Sequence, residues 1–150
     1  MGAALAHAIE HERASIERKG LVIALAGDLG TGKTAVVRAL LRAAGVTGSI
    51  KSPTFAVLEP YVVSRLHFYH FDFYRFSNAT EFSDIGFREL FGPGHICAIE
   101  WPERVASQLP TPDLRLALQM SGSGRELVAG ANTELGAACL NRIRSELQHL

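Results

Sequence analysis

The chain has 150 residues, 47% of them hydrophobic, and its Lys+Arg and Asp+Glu totals are both 15, giving a formal net charge of zero. That length carries one domain with a real core, and the balanced charge argues against a protein that grips nucleic acid alone, which usually shows a basic surplus. Cys97 and Cys139 have no metal-ligand spacing and fit a reducing compartment, while MGAALAHAIEHER lacks the pattern of a signal peptide and no apolar run could span a bilayer, so the expected location is the cytoplasm.

Residues 3–18, rich in Ala with Glu and Arg on one side, predict a helix. The apolar run LVIALA, 21–26, lies between Gly20 and Gly27 and predicts a short strand buried on both faces. Then comes GDLGTGKT, and residues 33–44 predict a helix stopped by Gly45. The loop fits G-x-x-x-x-G-K-[ST], with Gly27, Gly32, Lys33 and Thr34 in the fixed places. Bare backbone allows successive N–H groups to surround phosphates, and the following helix adds its positive end. Lys33 is placed to reach the terminal phosphates, and Thr34 to offer its hydroxyl to Mg²⁺.

Ser52-Pro53-Thr54-Phe55 stands where a nucleotide-sensing loop could sit, with Thr54 near the terminal phosphate; locally it reads as an ordinary Ser-Pro turn. Residues 55–61 and 66–74 predict a hairpin around Ser64-Arg65. Alternation puts His70, Asp72 and Tyr74 on one face, which suits either a site lining or a solvent-facing edge strand. His67 and His70 fall on opposite faces, which argues against a shared metal. Residues 81–91 predict a short helix. Residues 96–99, ICAI, predict a buried strand ending at Glu100. Alone, Glu100 is an ordinary strand-end acid; beside a phosphate loop it is the candidate second metal anchor, because hydrolysis needs one. Residues 114–120 and 126–131 predict a second hairpin around Ser121-Gly122-Ser123-Gly124, and Arg125 there has no local signal beyond its charge. Residues 133–149 predict a closing helix. Together these elements predict one α/β domain over 1–150, a P-loop NTPase-like fold with a mixed parallel and antiparallel central sheet flanked by helices.

In this order, GDLGTGKT, KSPTFAVLEPY, HFDFYRF, ICAIEWPERV, LPTPDLRLAL and SGSGR resemble the TsaE family, bacterial ATPases required for threonylcarbamoyladenosine formation in tRNA. The similarity runs from about residue 20 to 131. The resemblance implies ATP with Mg²⁺, and a nucleotide site built from Leu29, Gly30, Thr31, Gly32, Lys33 and Thr34 with Thr54, Asp72 and Arg125. It implies Thr34 and Glu100 as metal holders, and Lys33, Asp72 and Glu100 as the catalytic group, Asp72 lying near the attacking water. Residues 52–55 would be a switch-like loop, Arg125 would approach from the second hairpin, and Trp101 would match the family tryptophan beside the metal-binding acid. It further implies that the chain does not transfer the threonylcarbamoyl group itself. It would act with the TsaB–TsaD pair, reaching tRNA indirectly through these partners.

Two alternatives stand beside an ATPase. One is a nucleotide-dependent binding switch with negligible turnover. The other is a small-molecule P-loop kinase, which needs an acceptor pocket and an arginine-bearing lid that the central hairpins leave little room for. Neither D-x-x-G nor N-K-x-D occurs, which argues against a GTPase.

Overall fold

The computed structural model describes residues 1–150. Its centre is LVIALA, the strand β1 (Leu21–Ala26), flanked by β4 (His95–Glu100) and β5 (Leu114–Ser121), both parallel to it. The six-stranded sheet has the order β2-β3-β4-β1-β5-β6. Strand β3 (Leu66–Asp72) is parallel to β4, while β2 (Leu58–Val63) and β6 (Gly124–Ala131) pair antiparallel as the two edges. The sheet is therefore mixed, as the sequence predicts. Each hairpin contributes one inner parallel strand and one antiparallel edge.

Alternation along β1 serves two cores. Leu21, Ile23 and Leu25 pack with the apolar stripes of α1 (Gly2–His11), α3 (Lys33–Ala43) and α5 (Glu134–Leu147). Val22 faces the other way, into an aromatic cluster containing Phe71, Phe73, Phe76 and Phe82. Both faces of the strand are covered, which is why it reads as a continuous apolar run rather than an alternating one.

The predicted elements differ most from the structure at three places, while β3 ends at Asp72 rather than 74 and β6 begins at Gly124 rather than 126. The helix predicted over 3–18 is two helices, α1 and α2 (Arg13–Lys19), which meet at Glu12, where the backbone leaves helical geometry at φ −92°, ψ 13°. Arg13 Nε donates to the Ser64 carbonyl at 2.8 Å, which ties α2 to the first hairpin turn. The helix predicted over 81–91 divides at Gly86, in the left-handed region at φ 85°, into α4 (Thr80–Ile85) and a 3₁₀ turn (Phe87–Leu90). The first strand of the hairpin begins at Leu58 rather than 55, because Val57 sits at φ 69° and residues 53–57 form a turn. A β-branched residue at positive φ is strained. A 3₁₀ segment after β4 (Pro102–Gln108) lacks a sequence expectation.

One side chain joins three elements. The Asp113 carboxylate accepts from Val22 N at 2.7 Å and from Thr133 Oγ1 at 2.6 Å. Thr133 in turn caps α5 by accepting from Gly136 N. Removing this carboxylate strands a main-chain donor of the central strand and loosens the cap. Asp113→Ala is expected to cost about 2–3 kcal/mol of unfolding free energy, since hydrogen bonds to charged groups contribute about 1.5–3 kcal/mol. Urea denaturation would check this; an unchanged midpoint would contradict it.

Candidate active site

The parallel strands β1, β3 and β4 deliver their carboxyl ends to one edge of the sheet, the usual place for a ligand crevice in an open α/β sheet. Loop 27–32 leaves β1 there and enters α3. A Cβ on Gly27 would stand 2.5 Å from the Leu118 carbonyl oxygen and 2.7 Å from Thr31 Oγ1, so the position admits only glycine. Thr31 is buried and donates its hydroxyl to the Asp28 carbonyl at 2.8 Å, bracing the turn. The N–H groups of Gly32, Lys33 and Thr34 find no acceptor within the chain. Free donors at the positive end of an eleven-residue helix suit an anion.

Lys33 is only 4% exposed. Its Nζ donates to the Gly27 and Asp28 carbonyls at 2.5 and 3.0 Å and lies 4.3 Å from the centre of the Trp101 ring. None of the ion pairs in the molecule includes it. A buried ammonium held by dipoles and a π face alone, with no carboxylate, leaves its charge available to an incoming anion.

Glu100 ends β4 against Thr34, the residue after that lysine; it is 3% exposed and is not the solvent-facing acid that its position alone suggests. Thr34 Oγ1 lies 2.9 Å from both of its oxygens. His70 Nε2 lies 2.6 Å from Oε2. Asp72 is in register with Glu100 on the adjacent strand. It is 4% exposed, on an inner strand rather than an edge. The donor set of a hydroxyl and a carboxylate is all oxygen, which fits a hard divalent cation such as Mg²⁺. No group of three or more His, Cys, Asp or Glu side chains is clustered as a protein-only metal site, so a cation here would complete its shell from phosphate and water. His67 and His70 do lie on opposite faces: His67 is exposed and stacks on Tyr69, while His70 is fully buried.

Asp72 Oδ1 accepts from Tyr74 N at 2.9 Å and Oδ2 from Thr54 Oγ1 at 3.2 Å. Thr54 is joined to Ser52 by a hydroxyl pair at 2.9 Å. The 52–55 loop is thus fastened to the site through one aspartate. Burial holds the Asp72 carboxyl above the usual range, the Tyr74 N–H opposes this, the neighbouring Glu100 charge adds to the rise, and the Thr54 hydroxyl and His70 oppose it. A carboxyl whose folded pKa is raised contributes stability fully below its unfolded value and loses it as pH rises through the folded one. Asp72→Asn is therefore expected to raise the melting temperature at pH 7 and to raise it less toward pH 4. Thermal melts at the two values check this; an equal shift at both would contradict it.

Leu29 stands exposed at the loop tip. Arg125 reaches the loop from β6, donating to the Gly30 carbonyl at 3.3 Å. Arg75 does not reach the loop; its guanidinium covers the exposed Phe55 ring at 4.0 Å. Beside Gly32 a groove of about 510 Å³ runs between Gly2, Val36, Leu118 and Arg125, mostly apolar. A larger groove of about 570 Å³, on the opposite sheet face between Ala26, Pro102 and Arg115, holds none of the predicted site residues. His70 is the site group to which the sequence reading gives no role; its signals are that it heads HFDFYRF and shares a strand face with Asp72.

The family model for the threonylcarbamoyl adenosine biosynthesis protein TsaE matches residues 2–127. The chain belongs to the TsaE family. The match starts at α1, well before residue 20, so the resemblance extends further toward the N-terminus than the motifs alone suggest. The tRNA threonylcarbamoyladenosine biosynthesis protein TsaE of Haemophilus influenzae is 36% identical over 118 residues, covering 79% of this chain and 75% of that one. TsaE of Treponema pallidum is 40% identical over 114 residues, covering 75% and 83%. The crystal structure of Bacillus subtilis YdiB superposes with a TM-score of 0.71 at 26% identity, over 97% of this chain and 86% of that one. Within the TsaE family, then, this chain is a P-loop nucleotide-binding protein. No helix in it is long and apolar enough to cross a membrane.

Proposed function

We propose that this chain, as one unit over 1–150, is a Mg²⁺-dependent ATPase that supports threonylcarbamoyladenosine modification of tRNA together with the TsaB–TsaD pair. The observation that carries the ATPase reading is the buried, unpaired Lys33 ammonium beside the Thr34–Glu100 contact. The tRNA role rests on family membership and on the names of its relatives. The reading puts the protein in the cytoplasm, and the two free, buried thiols fit that compartment.

In this reading the backbone of Leu29, Gly30, Thr31 and Gly32 wraps the phosphates, and the free N–H groups at the start of α3 bind their oxygens. Lys33 exchanges its carbonyl partners for the terminal phosphates. Thr34 and Glu100 would hold Mg²⁺, which would supply charge to offset that developing on the phosphate oxygens. Asp72 orients the attacking water, and Thr54 couples residues 52–55 to it. Arg125 and the apolar groove beside Gly32 border the rest of the nucleotide. A second reading, a binding switch with negligible turnover, draws on one observation. Arg75 lies on Phe55 and Arg125 on Gly30, so neither guanidinium is committed to developing charge. A kinase reading has no comparable support.

Reconstitution tests the proposal: threonylcarbamoyladenosine formed on tRNA by the TsaB–TsaD pair, with ATP, in the presence and absence of this chain. Sustained modification is expected only with the intact chain, and Lys33→Ala should fail to support it. Equal modification without the chain would contradict the proposed role.

A further inference from the structure

His70 heads the HFDFYRF segment without a role of its own in the sequence reading, yet it is fully buried on the site face of β3. Its register partner is Ala98, two residues before Glu100 on β4. That offset lets the imidazole lie against the Glu100 carboxylate, with Nε2 at 2.6 Å from Oε2. The other ring nitrogen, Nδ1, is the molecule's one buried side-chain polar atom without a hydrogen-bond partner. Burying an imidazole with one nitrogen unpaired costs more than burying an apolar side chain of similar size, a cost that a role in the site would offset. This one has a single polar engagement, and it is with the acid proposed to hold the metal.

Glu100 needs such a contact. Thr34 Oγ1 is 2.9 Å from both carboxylate oxygens, but a hydroxyl has one proton and can donate to only one of them at a time. Asp72, in register beside Glu100, is a carboxyl of the same kind and supplies no donor to it. His70 is the only other donor that touches Glu100. We propose that His70 is a positioning residue, whose Nε2–H fixes Oε2 and so orients the Glu100 carboxylate for the divalent cation. The inference rests on the nucleotide reading above and deepens it. It assigns His70 no proton transfer in the reaction; hydrogen bonds to a metal-binding carboxylate act by orientation, and their loss typically costs about 10–100-fold in metal affinity.

The test compares ATP affinity with excess Mg²⁺ and with EDTA, by calorimetry, in wild type and three variants. His70→Leu removes the donor at similar volume. His70→Asn keeps polarity but is too short to reach Oε2. His70→Gln carries an amide N–H near the Nε2 position. In EDTA all four should bind ATP within about twofold of one another, because the phosphate loop is untouched. His70→Leu and His70→Asn should need about 10-fold more Mg²⁺ for half-maximal enhancement of binding, and His70→Gln should return to within about threefold of wild type. Circular dichroism melts identify variants that fold. Should His70→Leu fail to fold, the pair His70→Asn and His70→Gln decides the matter. Wild-type Mg²⁺ dependence in folded His70→Asn, or equal defects in Asn and Gln, would overturn the positioning role while leaving the nucleotide reading intact. Absence of Mg²⁺-dependent ATP binding by the wild type would instead overturn the nucleotide reading, and this inference with it.

Discussion

Lys33→Ala is expected to weaken ATP binding by about 10- to 150-fold, the equivalent of about 1.5–3 kcal/mol for a charge-assisted hydrogen bond. The basis is the isolation of this ammonium. It is buried, its partners are two carbonyls and the Trp101 ring, and no carboxylate competes for it. An incoming phosphate therefore meets a charge already stripped of water and fixed in direction. The substitution should be gentle on the fold, because Lys33 is at the first position of α3 and alanine is a strong helix former. Titrations of ATP against folded wild type and variant would check the effect, and equal affinities would show that the loop does not cradle phosphate.

Glu100→Ala should spare ATP binding in EDTA and lower partner-stimulated turnover by about 100-fold or more, or about 2.7 kcal/mol or more on the barrier. The phosphates would still find the free N–H groups at the start of α3. The cation would lose its carboxylate, and Thr34 and His70 would each lose the acceptor that now holds them. Glu100→Gln separates these effects, since it retains an oxygen acceptor while removing the charge. It should fold more stably than Glu100→Ala and turn over almost as poorly. Wild-type phosphate release by either folded variant would make Glu100 a structural residue at a strand end.

What the sequence makes legible follows the range of the interactions involved. LVIALA reads as a doubly buried strand, and GDLGTGKT as a phosphate loop, because both depend on neighbours in the chain. The predicted breaks are less sharp where tertiary contacts decide them. The turn from α1 to α2 at Glu12 is accompanied by Arg13 reaching Ser64, far along the chain. Val57 is held at positive φ in a turn where Val57 N meets the Pro53 carbonyl and Asp72 N meets its own. A hydrophobic pattern that reads as strand gives no notice of that.

The same holds for the site. Glu100 ends a readable strand, but its contacts with Thr34 and His70 span 66 and 30 residues. They exist because the sheet order sets β4 between β1 and β3, an arrangement that no single segment encodes. Asp72 reads equally as a site residue or an edge residue until that order is known, and burial of its strand on both sides decides between them. The burial of Lys33 is likewise invisible in the motif. The motif supplies a lysine at the right place; the Trp101 ring and the folded-back loop supply its dry surroundings.

The most direct measurement is steady-state phosphate release at saturating Mg²⁺–ATP by the chain alone and with the TsaB–TsaD pair, with Lys33→Ala as the control for contaminating ATPases. Slow release is expected from the chain alone, because Arg75 and Arg125 are engaged with Phe55 and Gly30. Release should rise at least about tenfold with the pair, which requires only about 1.4 kcal/mol of barrier reduction, and should vanish in Lys33→Ala under both conditions. Release that is absent with and without the partners, or equal in wild type and Lys33→Ala, would contradict an ATPase built on this loop.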